Sequence, residues 1–238
     1  MKRRGINSDL HLVLLPGLDG TGRLFEPFIK QFPDPSLVTV VPYPMDRHLT
    51  FEQLGDYIVP FLPTGKPSAI LGESYSGPVA LSLAARDNLN IHSIILVATF
   101  AKYSASLLKL LSKWLPLSLL FRLPIPDFAI RYYCFGSASN KVLRALLRDS
   151  VRANKPKVLA ARAREGSNVD VTALLAAINV PCLYIAASND KLVPGEAIDY
   201  LKNHLPDLKV VTVQGSHFIL QVQPMACFDA VSDFLSSN

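Results

Sequence analysis

Ala69-Ile70-Leu71-Gly72-Glu73-Ser74-Tyr75-Ser76-Gly77-Pro78-Val79-Ala80 is the stretch from which the rest of the chain can be read. An apolar run enters Gly-x-Ser-x-Ser-Gly and leaves with the apolar spacing of a helix. Residues that are apolar on both faces suit a parallel strand covered on each side. The turn between strand and helix must be tight. Its central residue therefore takes a strained backbone conformation, and its neighbours must be small. A serine placed there lifts its hydroxyl above the sheet, next to the positive end of the following helix. Ser74 is thus the candidate nucleophile, and a serine in an ordinary strand–helix turn is the plainer alternative. Ser76 stands where such a turn usually carries glycine, and it is small enough for the packing.

Working outward, short apolar runs bounded by Gly, Pro, Asn or Asp predict strands at His11–Leu15, Leu37–Val41, Ser68–Leu71, Ser93–Val97, Cys182–Ala186 and Leu208–Val213. Helical spacing lies between them, at Leu24–Gln31, Phe51–Phe61, Ser76–Arg86, Glu196–His204 and Met225–Leu235. This alternation predicts an α/β fold, a mostly parallel doubly wound sheet of about six strands. The alternation stops after Thr99 and resumes near Asn179. Residues 1–99 and 179–238 are therefore expected to form the core, and 100–178 a helical cap, or lid, with a return segment.

The chain has 238 residues, half of them apolar and 18% charged, which excludes a disordered or solvating chain. Its net charge of +5 is unevenly spread. Residues 101–170 hold thirteen Lys and Arg against four Asp and Glu, a net +9 that leaves the remainder at −4. Cys134, Cys182 and Cys227 are far apart, with no CxxC and no zinc spacing, so they read as separate reduced thiols and no metal is expected. Met1–Arg4 has the charge of a secretory n-region, but the apolar run Leu10–Leu15 is too short to follow it. No apolar stretch is long enough to span a membrane. These features predict a cytoplasmic protein.

A serine hydroxyl needs a base, and five histidines are present. His11 opens a strand, His48 lies in a Pro-rich loop, His92 precedes a strand and His204 ends a helix. His217 follows the last strand, at the carboxyl edge of the sheet, where open α/β folds keep their sites. The base in turn needs a carboxylate. Asp190 sits just past the strand that starts at Cys182, and it either serves His217 or caps the next helix. Asp170 and Asp199 are poorer candidates, before the strand and inside a helix. The Gly17-Leu18-Asp19-Gly20 loop after the first strand, with the turn after Ser74, offers backbone N–H donors at Leu18 and Tyr75 for a developing oxyanion. The glycine spacing of that loop is G-x-x-G-x-G and lacks the G-K-[ST] of a phosphate loop, which disfavours a nucleotide cofactor.

Leu15–Gly20, Gly72–Gly77, Asp190–Pro194 and Gly215–His217, in that order, resemble the α/β-hydrolase superfamily. The resemblance runs from about Leu10 to the C-terminus. It implies a serine hydrolase with Ser74, Asp190 and His217 as catalytic residues, Leu18 and Tyr75 as oxyanion donors, and no cofactor. The implied reaction is cleavage of a carboxylic ester through an acyl-enzyme. A thioesterase or an acyl-carrier-protein ester esterase is the alternative, and a hydrolase-like receptor for a small ligand is the non-enzymatic one. Two departures stand out. Pro16-Gly17 replaces the frequent His-Gly, and only ten residues precede the first strand, so the superfamily's opening hairpin is expected to be absent or truncated.

In the cap, Leu107–Leu115 has amphipathic spacing, with Lys109, Ser112 and Lys113 on the polar side. It reads as a lid helix packed over the core, or as one facing an acyl chain or lipid surface. Lys141, Arg144, Arg148, Arg152 and Lys155 recur at three- and four-residue spacing on one helical face. They form a solvated face or a dock for a polyanion. Without a recognition motif, nucleic acid is not expected. Carrier-protein ester esterases of the superfamily hold an acidic carrier on basic cap residues, and this charge is similar to theirs.

Overall fold

The computed structural model describes residues 9–103, 115–205 and 207–238. The predicted lid helix at 107–115 lies almost wholly outside them. Six strands are present, β1 (His11–Leu15), β2 (Val38–Val40), β3 (Ser68–Glu73), β4 (Ile91–Val97), β5 (Cys182–Ala187) and β6 (Leu208–Val213). They form one parallel sheet in the order β2-β1-β3-β4-β5-β6. The chain winds from β1 to β2 on one side and from β3 onward on the other. The crevice above β1 and β3 is therefore the topological switch point, where such sheets bind ligands.

Alternate residues of each strand feed opposite faces. Val13, Ile70, Ile94 and Tyr184 pack against α1 (Phe51–Ile58) and α2 (Gly77–Ala84). Leu12, Leu14, Leu71, Ile95 and Ile185 pack on the other face against Phe25, Phe28 and Phe228. Leu14, Ile70 and Ile95 are wholly buried, and each such side chain contributes about 1.5–3 kcal/mol of burial energy.

Between β4 and β5 the described residues form no strand beyond an isolated bridge between Lys102 and Asp170. Their longest elements are α3 (Lys141–Arg152) and α4 (Pro156–Asn168). Asn140 caps α3 by accepting the Leu143 N–H. Then follow α5 (Glu196–His204) and α6 (Pro224–Ser236). Several helices are shorter than the spacing suggests. Leu24–Gln31 resolves into a 3-10 turn at Arg23–Phe25 and one helical turn at Glu26–Ile29, because Pro27 sits where a longer helix would need its N–H. Phe51–Phe61 tightens to 3-10 geometry at Val59–Phe61, around Pro60. The basic stripe is also shorter than expected. Lys155 lies past the end of α3, and its N–H donates to the Met45 carbonyl.

Candidate active site

Ser74 follows β3 with φ of 50°, a left-handed conformation that costs a non-glycine residue about 1–3 kcal/mol. Its surroundings hold it there. A Cβ at Gly72 would lie 2.7 Å from the Ser76 carbonyl oxygen, and one at Gly77 would collide with Thr99. The Thr99 hydroxyl donates to the Ser74 carbonyl. Thr99 is itself fixed by Tyr184, whose hydroxyl accepts the Thr99 N–H at 2.9 Å and donates to its carbonyl at 2.7 Å. Ser76 does more than fit. Its buried hydroxyl donates to the Pro16 carbonyl and lies 2.5 Å from the Tyr43 hydroxyl, so it ties the turn after β3 to the loop after β1.

Ser74 Oγ lies 2.8 Å from His217 Nε2, and His217 Nδ1 lies 2.8 Å from Asp190 Oδ2. With Nδ1–H directed at the carboxylate, Nε2 is left to accept the serine proton. Asp190 Oδ1 accepts the N–H groups of Leu192 and Val193 at 2.8 and 2.9 Å. Burial pushes the Asp190 carboxyl up. The His217 hydrogen bond and the two backbone donors outweigh it, and the group rests below its ordinary range. One oxygen thus closes the loop after β5 and the other meets the histidine, while the next helix has Gly195 at its N-cap and no side-chain cap, so Asp190 does not cap it. Asp170 instead pairs with Lys102 at 2.7 Å, and Asp199 lies in α5. Of the other histidines, His11 meets Thr39 Oγ1, His48 meets Glu165, and His204 meets the Tyr200 carbonyl, each at 2.8 Å. His92 lies in β4.

Leu18 and Tyr75 flank Ser74 in a cavity of about 480 Å³. A Cβ at Gly17 would lie 3.9 Å from Ser74 Cβ, so the loop after β1 passes close to the serine. Two turns shape that loop. The Gly20 N–H donates to the Gly17 carbonyl at 3.0 Å, and the Thr21 N–H donates to Asp19 Oδ2 at 2.9 Å. The cavity walls are mostly apolar, with Leu117, Ile125, Leu147, Val151, Leu159 and Phe218 among them. Glu73 also reaches the cavity. Burial pushes its carboxyl up to about 7, and Gln221 Nε2 donates to its Oε1 at 3.0 Å. Among the described residues, no group of three or more His, Cys, Asp and Glu side chains is placed to hold a metal ion. The three cysteines are unpaired, and burial pushes each thiol up to about 12.

Two residues with close polar ties to this site were not among the sequence candidates. Arg162 and Glu165, both on α4, contact the loop after β1 and Tyr75. A signal for Arg162 exists. It falls in register with Val158, Leu159 and Gly166, on the face of α4 that turns inward. The basic stripe is partly committed within its own segment. Arg148 donates to the Ile125 carbonyl and pairs with Asp127, which Arg144 approaches at 3.5 Å.

A parallel six-stranded sheet with a serine on a strained turn after β3, and a histidine and a carboxylate at the ends of β6 and β5, defines an α/β-hydrolase. The chain belongs to the family described as serine aminopeptidase, S33, whose model matches residues 52–218. It is 24% identical over 229 residues to the pimeloyl-[acyl-carrier protein] methyl ester esterase of Neisseria meningitidis serogroup C, covering 84% of this chain and 83% of that one. Among solved structures it resembles the enol-lactonase from Burkholderia xenovorans LB400, with a TM-score of 0.77 at 20% identity over 99% of this chain and 94% of that chain. MenH from S. aureus is similar, with a TM-score of 0.76 at 18% identity over 98% of this chain and 95% of that chain. The protein is a hydrolase of an esterase-like family, and no helix among the described residues is long and apolar enough to cross a membrane.

Proposed function

We propose that this protein cleaves carboxylic esters through an acyl-enzyme on Ser74, with His217 as general base and acid and Asp190 as its carboxylate partner. The observation that carries this reading is the unbroken pair of 2.8 Å contacts from Ser74 Oγ through the His217 ring to Asp190, opening into an apolar cavity. In this mechanism Ser74 Oγ adds to the ester carbonyl carbon as Nε2 takes its proton. The displaced carbonyl electron pair settles on an oxyanion held by the Leu18 and Tyr75 N–H groups. Asp190, kept ionised, stabilises the imidazolium. Collapse of the adduct expels the alcohol, which takes the Nε2 proton. Water, deprotonated by His217, then adds to the acyl-enzyme, and a second collapse releases the acid and restores Ser74. Residues 100–178 serve as the cap that shapes the acyl pocket. The apolar walls favour an acyl chain that is itself apolar near the reacting carbonyl.

The test is hydrolysis of p-nitrophenyl esters from acetate to laurate by wild type and Ser74→Ala. Turnover confined to the wild type is expected, with a chain-length optimum that reports pocket depth. Turnover that persists in Ser74→Ala would refute the mechanism. Failure of a folded wild type at every length would favour the receptor alternative or a more demanding substrate. The Neisseria relative supports a carrier-linked acyl ester as that second substrate reading. Of the basic stripe, Lys141, Arg152 and Lys155 are exposed and free to meet such a carrier's acidic surface.

A further inference from the structure

Arg162, Glu165 and Gly166 share one face of α4, three and four residues apart. Arg162 is 1% exposed, the largest fully buried side chain among the described residues. Its Nη1 donates to the carbonyls of Leu18 and Asp19, each at 3.1 Å, and to Asn154 Oδ1 at 3.2 Å. Its Nη2 donates to the Pro44 carbonyl at 2.8 Å, and the guanidinium lies 5.6 Å from the centre of the Tyr43 ring. A Cβ at Gly20 would collide with this guanidinium, so a bare glycine opens its seat. One turn further on, Glu165 Oε2 accepts the Tyr75 hydroxyl at 3.1 Å and meets His48 Nε2 at 2.8 Å. Its Oε1 accepts the Phe51 N–H at 2.8 Å. A Cβ at Gly166 would lie 3.2 Å from Tyr75 Cδ2, while Phe51 stacks on the same ring at 4.7 Å.

Leu18 and Tyr75 emerge from different strands, β1 and β3, and both are gripped from one helix of the inserted segment. A fully buried guanidinium is costly unless its donors are met, and here two of its four acceptors are carbonyls of the loop after β1. We propose that α4 sets the spacing of the oxyanion hole. Arg162 holds the Leu18 loop, and Glu165 with Gly166 holds Tyr75, so all three are positioning residues for the reaction. This rests on the ester-hydrolase reading, in which Leu18 and Tyr75 N–H are the oxyanion donors. Such donors act by being in place before charge develops, and a misplacement of about 1 Å costs on the order of 100-fold in rate.

The experiment combines amide hydrogen exchange at Leu18 and Tyr75 with steady-state kinetics on the best p-nitrophenyl ester. In Arg162→Lys the charge stays but the fork is lost. Exchange at Leu18 should rise about 10-fold or more. In Glu165→Ala the same is expected at Tyr75. Each should lower kcat roughly 10- to 100-fold with KM within about twofold, because the loss falls on the transition state. Glu165→Gln should restore part of the rate, and Lys157→Gln, exposed on the same helix, should alter neither readout. Unchanged exchange in folded variants would overturn the proposal, as would a loss confined to KM. If Arg162→Lys does not fold, Gly166→Ala reads the Tyr75 half alone. If the wild type turns over no p-nitrophenyl ester, the ester-hydrolase reading loses that support, and exchange still decides whether α4 holds the two loops.

Discussion

The sheet core and the segment between β4 and β5 differ in how far they rest on apolar area alone. The core is cohesive through apolar area. Its strands alternate wholly buried Leu, Ile and Val between two faces, and this burial thins most along the edge strands β2 and β6. The inserted segment has a smaller apolar cluster around Ile130, Phe135, Leu143 and Leu147, and it leaves Leu119, Leu123 and Phe128 exposed. It is seated on the core partly by that cluster, which takes in Leu24 and Phe218, and partly by directed polar ties from Arg162, Asn154 and Glu165 to the loop after β1 and to Tyr75 and Phe51. The contrast is instructive. Non-directional burial tolerates small displacements, whereas hydrogen bonds to named carbonyls fix position. The first suits a scaffold and the second a site.

That division can be broken at its sharpest point first. Ser74→Ala or His217→Ala should lower kcat on the order of 10⁴-fold or more, with the thermal midpoint hardly changed, as calorimetry beside a kinetic assay would show. Asp190→Asn should cost on the order of 10³- to 10⁴-fold, since the ring loses its anionic partner but keeps a hydrogen bond. A near-silent Asp190→Asn would mean that another carboxylate orients His217. Next comes the core. Leu14→Ala should remove about 2–5 kcal/mol of stability in chemical denaturation, by creating a cavity where nothing can relax. Leu147→Ala in the inserted segment should remove less, and should instead shift the ester chain-length optimum upward by deepening the pocket.

A smaller effect tests the polar floor of the cavity. Burial raises the Glu73 carboxyl from an ordinary 4.5 to about 7. The folded state therefore holds a proton that the unfolded state has lost between these values, and stability falls as pH rises through that window. Glu73→Gln removes the penalty while keeping an oxygen for Gln221. Its stability relative to wild type should be greater at pH 8 than at pH 4, read as the difference in Tm. A pH-independent difference would mean that the carboxyl is not held neutral by burial.

Much of this could be read along the chain. Strands and elbow are local: Ala69–Ala80 carries its own periodicity switch, and residues on either side of Ser74 must be small whatever surrounds them. The histidine and acid loops were legible because the carboxyl ends of parallel strands all lie on one edge. Helix lengths were less legible, since Pro27 and Pro60 break patterns that hydrophobic spacing alone continues. Arg144 and Arg148 read as free cations, yet they are bound to Asp127 and Ile125 about twenty residues away. Ser76 read as a tolerated substitute for glycine, yet its hydroxyl is a tie to Pro16 and Tyr43.

By itself the sequence determined the element types, their order, and which strand ends carry a serine, a carboxylate and a histidine. These follow from periodicity, turn chemistry and the parallel sense of the sheet, all short-range properties. Only the tertiary structure decided that Asp190 shares its two oxygens between His217 and its own loop, and that Arg162 and Glu165 reach Leu18 and Tyr75. The Arg162 and Glu165 contacts join residues 90 to 144 positions apart. No local preference encodes them, because they exist only once burial has brought α4 down onto the edge of the sheet.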